Sequence, residues 1–168
     1  MELAPQIGYA SSNYTAANIN TNNTPRSGVT FGVGADYFFN NRWSLRSGLH
    51  LQPMGSKYSG ITDELSYLTV PLNANWHFGS TRKWNLNFGP SIGFLMSAKS
   101  GGEDVKSLAT YTQFGFNVGI GYKIEVSEKF SILIDYQGVS GLTDVEKNSE
   151  VSYKNAYNSF NVGGVFKI

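Results

Sequence analysis

Between Tyr67 and Phe78 the chain reads YLTVPLNANWHF, and apolar and polar residues alternate almost without interruption. Leu68, Val70, Leu72, Ala74, Trp76 and Phe78 share one parity, and Thr69, Pro71, Asn73, Asn75 and His77 share the other. A period of two puts successive side chains on opposite faces of a β-strand, so the two faces meet different surroundings. In a water-soluble sheet the apolar face packs inward. In a membrane barrel it turns out to lipid, and the polar face lines the bore. Which face is inside decides the fold class.

The pattern returns at regular spacing. Leu3, Pro5, Ile7 and Tyr9 open a first strand, and Val29, Phe31, Val33, Ala35, Tyr37 and Phe39 form the apolar side of a second. Trp43, Leu45, Leu49 and Leu51 follow, then the stretch quoted above, then Trp84 to Met96 on even positions. Phe114 to Ile124 (even positions) makes a sixth strand and Phe130, Ile132, Ile134 and Tyr136 a seventh. Phe160, Val162, Phe166 and either Gly164 or Val165 make an eighth. No helical period and no interdomain linker interrupts them, so residues 1–168 read as one domain. Connections at Asn40–Arg42, Gly79–Lys83 and Glu125–Lys129 are short, whereas about Ser11–Arg26, Gly55–Glu64, Ser97–Thr110 and Gly141–Asn155 are long and polar. Short turns at one end and long loops at the other match the plan of outer-membrane barrels, with the short end periplasmic.

The opposite face is rich in glycine and polar groups. It carries Asp36, Arg46, His50, Gln52, Asn73, Asn75, His77, Asn85, Asn87, Asn117, Lys123, Asp135 and Gln137, while no charge interrupts the apolar rows. Aromatic residues sort by height: Phe39, Trp43, Trp76, Phe78, Trp84, Phe130 and Phe166 beside the short turns, Tyr9, Tyr58, Tyr67, Tyr111 and Tyr136 toward the long loops. Two amphipathic rings are what two membrane–water interfaces select. An eight-strand bore is just wide enough for side chains to fill. Small and polar groups fit there, with the bulky apolar rows against lipid. A one-residue slip would send Arg or Lys to hydrocarbon at ~2–4 kcal/mol each. The predicted fold is therefore an all-β, eight-stranded antiparallel up-and-down transmembrane β-barrel with a polar, filled lumen, short periplasmic turns and long extracellular loops.

Turn parity predicts contacts. A three-residue turn at 40–42 sets Asp36 opposite Arg46, and a buried charge needs such a partner. Across 79–83, Phe78 faces Trp84, His77 faces Asn85 and Asn75 faces Asn87; across 125–129, Lys123 faces Ser131 and Asn117 faces Gln137.

The gross composition is consistent with this. Nineteen glycines, ten tyrosines and eleven phenylalanines accompany 15% charged residues, a balance poor for helix and good for strands. Net charge +1 gives no footprint for nucleic acid, and zero cysteines excludes disulfides and thiolate chemistry. No stretch reaches the ~20 apolar residues of a membrane helix. Met1-Glu2-Leu3 has neither a basic n-region nor an apolar h-region, so a mature or trimmed form lacking a signal peptide is expected.

Four segments, DELSYLTVPL (63–72), FGPSIGFLMSAK (88–99), FGFNVGIGYKI (114–124) and DYQGVSGLTDV (135–145), resemble the PorT-like outer-membrane β-barrel domains of Gram-negative bacteria. The resemblance implies residence in the bacterial outer membrane. For the family's namesake it also implies a part in type IX protein secretion. Outer-membrane barrels usually close on an aromatic residue, whereas this chain ends Val165-Phe166-Lys167-Ile168.

Sites of chemistry are sparse. His50 and His77 lie at different heights and neither has a Ser–Asp arrangement at a rim, so both read as lumen filling rather than catalysis. Asp63-Glu64 and Glu103-Asp104 read as solvated loop charge before a divalent-ion site. Gly32-x-Gly34 and Gly119-x-Gly121 lack the strand–turn–helix of a nucleotide loop. Asn13-Tyr14-Thr15, Asn22-Asn23-Thr24 and the Asn-rich stretch Ala16–Thr24 read as surface-loop composition. No catalytic residue, cofactor or metal is predicted. The expected surroundings are the lipid bilayer and lipopolysaccharide, with envelope or secretion proteins as partners of the long loops. The leading reading is a non-enzymatic scaffold or surface-interaction barrel. A small-solute channel is the alternative, a lipid-modifying enzyme comes third and a soluble ligand-binding barrel fourth.

Overall fold

In the computed structural model, residues 1–16, 23–147 and 152–168 are described. Eight long strands form the wall: β1 (Glu2–Ala16), β2 (Thr24–Phe38), β3 (Trp43–Tyr58), β4 (Ile61–Phe78), β5 (Trp84–Ser100), β7 (Thr112–Glu125), β8 (Phe130–Gly141) and β9 (Tyr153–Lys167). The two-residue β6 (Glu103–Asp104) folds back on the end of β5. Each wall strand pairs antiparallel with its sequence neighbour, β9 pairs with β1, and β4 with β5, so the sheet closes on itself. Closure leaves no wall strand with an unpaired edge, the condition for crossing hydrocarbon with strands.

Faces follow the alternation in the sequence. Ile7, Phe31, Leu49, Leu72, Phe88, Val118, Tyr136 and Phe160 point outward, while Asp36, Asn75, Asn87, Asn117 and Asp135 point to the axis and are buried. In β9, Val165 is the inward residue and Gly164 lies on the outer row, which resolves the choice left open by the sequence. Glycine keeps the bore narrow where backbones crowd: a Cβ on Gly89 would lie 2.2 Å from the Leu72 carbonyl oxygen.

Two features depart from the sequence reading. The stretch 55–64 is not a loop. β3 and β4 continue to a two-residue turn at Ser59 and Gly60, both with positive φ (48° and 85°), which is the backbone of the hairpin turn that matches strand twist. Gly101 and Gly102 (57° and 91°) do the same between β5 and β6. Pairing onward satisfies backbone groups that an open loop would leave to water. Second, Lys123 faces Leu133 and Asn117 faces Val139, while Gln137 pairs with Gly119. The register is two residues from the one expected. The Val126 and Ser127 amides both donate to the Phe130 carbonyl (3.1 and 3.0 Å), so the turn closes one pair later. A two-residue shift keeps every side chain on its face, so alternation alone does not detect it.

Candidate functional site: a filled lumen below an open cup

The lumen is layered. At the short-turn end Phe38 turns inward, its ring 4.8 Å from that of His77 and 5.2 Å from Lys123 Nζ. Lys123 also forms an ion pair with Glu2. Glu2 escaped the sequence reading, although its parity with Ala4 and its register opposite Asp36 place it inside. Phe38, at the parity of Asp36, was missed for the same reason.

The middle layer is a polar network. Arg46 donates through Nε and Nη2 to Asp36 Oδ2 (3.1 and 3.0 Å) and through Nη1 to Asp135 Oδ1 (3.5 Å). Asp36 Oδ1 accepts from Ser44 Oγ (2.8 Å) and Asn75 Nδ2 (2.9 Å). Asn73 Nδ2 donates to Asn87 Oδ1 (2.9 Å), Ser91 Oγ to Asn117 Oδ1 (2.9 Å), and Gln137 Nε2 to Asp135 Oδ2 (2.8 Å). Asn85 is fully buried beside them, and Gln52 is buried higher up. His50 and Gln137 are half-buried, with Gln6 Nε2 3.2 Å from His50 Nδ1. The free volume in this layer is only ≈ 50 Å³, space for a few waters.

One grouping resembles catalytic furniture. Ser44 Oγ lies 3.0 Å from His77 Nε2 and donates to Asp36. In a nucleophilic triad the carboxylate orients the imidazole and the imidazole takes the hydroxyl proton. Here the hydroxyl donates its hydrogen bond to the carboxylate instead, and all three side chains are buried in the lumen.

Above the polar layer the interior turns apolar, which the sequence reading did not foresee. Met54, Leu65, Tyr67, Leu95, Ala98 and Tyr157 pack there, with Ala109 and Val145 brought in from the connections. Tyr67, expected in the outer aromatic ring, instead turns inward: it is 1% exposed and its hydroxyl donates to the Thr110 carbonyl (3.3 Å). It shares the parity of Thr69 and Asn73, so alternation outranks the rule that tyrosines at this height face lipid. The remaining aromatic positions do face outward. At the short-turn end Trp43, Trp76, Phe78, Trp84 and Tyr122 form a chain of ring contacts with centroids 4.7–6.2 Å apart. Phe130 and Phe166 form a separate pair at 5.1 Å, and Phe39 lies against Tyr37. Tyr9 and Tyr136 are exposed on the outer face near mid-strand, both paired with Phe160.

Above the apolar layer opens a cup of ≈ 500 Å³. Its lining mixes apolar Leu65, Val105, Ala109 and Val145 with polar Tyr14, Asp63, Lys99 and Glu146. Burial pushes the Tyr14 phenol up, and the Asp63 carboxylate beside it adds to the effect. Asp63 itself accepts from Ser100 Oγ (2.7 Å). Most of Ala16–Thr24 lies outside the described residues, Asn22 included. Among the described residues no cluster of three or more His, Asp or Glu has metal-site geometry.

Residues 3–166 match the family model described as outer membrane protein beta-barrel domain. The fold is similar to the crystal structure of Neisserial surface protein A (16% identity, 99% of this chain and 97% of that one, TM-score 0.63). It is also similar to OprG from Pseudomonas aeruginosa (13%, 99% and 95%, 0.56) and to Ail, the attachment invasion locus protein of Yersinia pestis (17%, 98% and 98%, 0.50). At such identities the likeness concerns the fold. No curated protein matches the sequence. The family model spans nearly the whole chain and the closed barrel carries its apolar rows outward, so this chain belongs to the outer-membrane β-barrel domain family and resides in the bacterial outer membrane.

Proposed function

We propose that this protein is a non-enzymatic, non-conducting barrel that presents its extracellular hairpins to an envelope or surface partner. The observation that carries the reading is the reach of β3 and β4. These strands hold 16 and 18 residues, against about 9–11 needed to cross a bilayer. From the Trp43 level, the surplus at about 3.3 Å per residue, on strands tilted roughly 40°, lifts the Ser59–Gly60 tip roughly 15 Å beyond the hydrocarbon. The tip is flanked by Tyr58 and Ile61, 61% and 52% exposed. Apolar side chains held in water on a rigid hairpin are what a partner surface selects. The similarity of DELSYLTVPL to PorT-like domains supports a secretion-related partner, and lipopolysaccharide is the neighbouring lipid.

The polar network serves as a structural plug, and the outer aromatic positions beside the short turns mark the periplasmic bilayer interface. A small-solute channel is the second reading, opposed by the ≈ 50 Å³ of free space in the lumen. The enzyme reading is opposed by the sealed Ser44–His77–Asp36 grouping. A photo-crosslinking residue at position 58 or 61 in living cells tests the proposal. A discrete adduct there, absent with the same residue at position 128 on the periplasmic turn, is expected. Adducts at neither tip position, together with steady conductance in planar bilayers, would overturn it in favour of the channel.

A further inference from the structure

We propose that the extracellular cup is a binding site for a small, largely apolar molecule that carries a hydrogen-bond donor and no negative charge. Its ≈ 500 Å³ falls within the roughly 300–1,000 Å³ of small-molecule sites, which pair an apolar lining with a few converging polar groups. Both halves of that description are present. Leu65, Ala109 and Val145 are buried side chains continuous with the apolar layer beneath, so a ligand would rest on them and on Val105 instead of entering a bore.

The polar side sets the ligand's chemistry. Among the described residues that line the cup, two carboxylates, Asp63 and Glu146, stand against one ammonium, Lys99, which disfavours an anion. Asp63 already receives the Ser100 hydroxyl, and a carboxylate has lone pairs for further donors. A ligand N–H or O–H directed at it makes a charge-assisted bond, stronger than a neutral one.

The walls are held in place before any ligand arrives. The Val105 amide donates to the Ala98 carbonyl (3.0 Å), the Thr110 amide to Val145 (2.8 Å), the Val145 amide to Tyr153 (2.8 Å) and the Lys147 amide to Leu108 (3.0 Å). Ala109 and Glu146 form a β-bridge between the two connections. A preformed site avoids the ordering cost that an open loop would incur. This inference stands apart from the hairpin-partner reading: a small ligand in the cup neither needs nor excludes a protein at the Tyr58–Ile61 tip.

The test uses the whole chain in lipid nanodiscs and two dyes of one skeleton. N-phenyl-1-naphthylamine is neutral and has an N–H donor; 1-anilinonaphthalene-8-sulfonate adds a negative charge. Methyl NMR of the unaltered protein is read while each dye is added. The neutral amine is expected to shift the Leu65, Val105 and Val145 methyls saturably, and the sulfonate to do so at least ten-fold more weakly. Shifts confined to the lipid-facing Val29, Val118 and Val162 methyls would mean partition into the bilayer and overturn the proposal. Ala109→Phe is expected to abolish saturable binding by filling the cup, and unchanged binding in a folded A109F barrel also overturns it. Asp63→Asn is expected to weaken the amine about five-fold, as exchange of a charge-assisted bond for a neutral one to the amide oxygen predicts, and to narrow the gap between the dyes. An unchanged ratio refutes the assignment of ligand charge.

Discussion

Arg46 is the hub of the lumen, and its removal is the most informative perturbation of the fold. Arg46→Met keeps an unbranched apolar stem and deletes the guanidinium with its charge. Three hydrogen bonds go with it, two to Asp36 at 3.1 and 3.0 Å and one to Asp135 at 3.5 Å. Two carboxylates are left in a layer shielded from water. Bonds to charged groups contribute about 1.5–3 kcal/mol each, but they act as a unit, and breaking a buried pair by deleting one partner costs about 3–5 kcal/mol. R46M should therefore lose about 4 kcal/mol, an amount set mainly by stranded charge. Asp36→Asn should cost less, because Arg46 keeps Asp135. The double variant should cost less than the two singles together by about 2 kcal/mol, since the group each mutation strands is removed by the other. Reversible urea unfolding in thin phosphatidylcholine vesicles, followed by tryptophan emission, gives all three values. Singles that add to within about 0.5 kcal/mol, the mark of independent sites, would refute the network. So would a loss in R46M below about 1 kcal/mol, the scale of an exposed pair.

Further outcomes follow from single positions. Val118→Arg sets a charge on the outer row at mid-strand and should cost about 2–4 kcal/mol in the same unfolding assay. Gly89→Ala puts a Cβ 2.2 Å from the Leu72 carbonyl oxygen and should cost about 1–3 kcal/mol through overpacking, despite adding a single methyl. Gly60→Ala forces a left-handed residue at φ +85° and should cost about 1–2 kcal/mol, confined to the hairpin. Amide exchange should therefore quicken near 56–63 and hold steady at 113–123. All three tryptophans (43, 76 and 84) lie at the periplasmic end. Lipids brominated near the headgroup should thus quench emission more than lipids brominated near the chain terminus; the reverse order would displace the ring from the interface.

The alternation between Tyr67 and Phe78 was enough to place most of the wall, because a period of two is a local property that closure of the sheet leaves intact. Turn parity likewise gave Asp36 opposite Arg46 and His77 opposite Asn85, since tight turns transmit register. What escaped was non-local or invariant to alternation. The β7–β8 register moved by two without turning any residue over. Tyr67 was misplaced by reading an amphipathic side chain for height before parity. Glu2 entered the sequence reading only where Met1-Glu2-Leu3 was found to lack signal-peptide features, although an inward Lys123 required an acid from some strand. Ser59-Gly60 and Gly101-Gly102 carried a legible signal for two-residue turns. The cup had none: Ala109 and Val145 meet only because two connections bridge above the barrel.

The most direct test concerns the direction of the side-chain rows. The chain has no cysteine, so single substitutions can be spin-labelled cleanly at adjacent positions of one strand. Collision with oxygen, concentrated in hydrocarbon, is compared with collision with a water-soluble nickel chelate. Labels at positions 116, 118 and 120 should be oxygen-accessible and mobile, and labels at 117 and 119 shielded from both agents and immobile. The opposite phase, with 117 and 119 meeting oxygen and 118 hidden, would contradict an outer surface built from the Phe, Val and Ile rows.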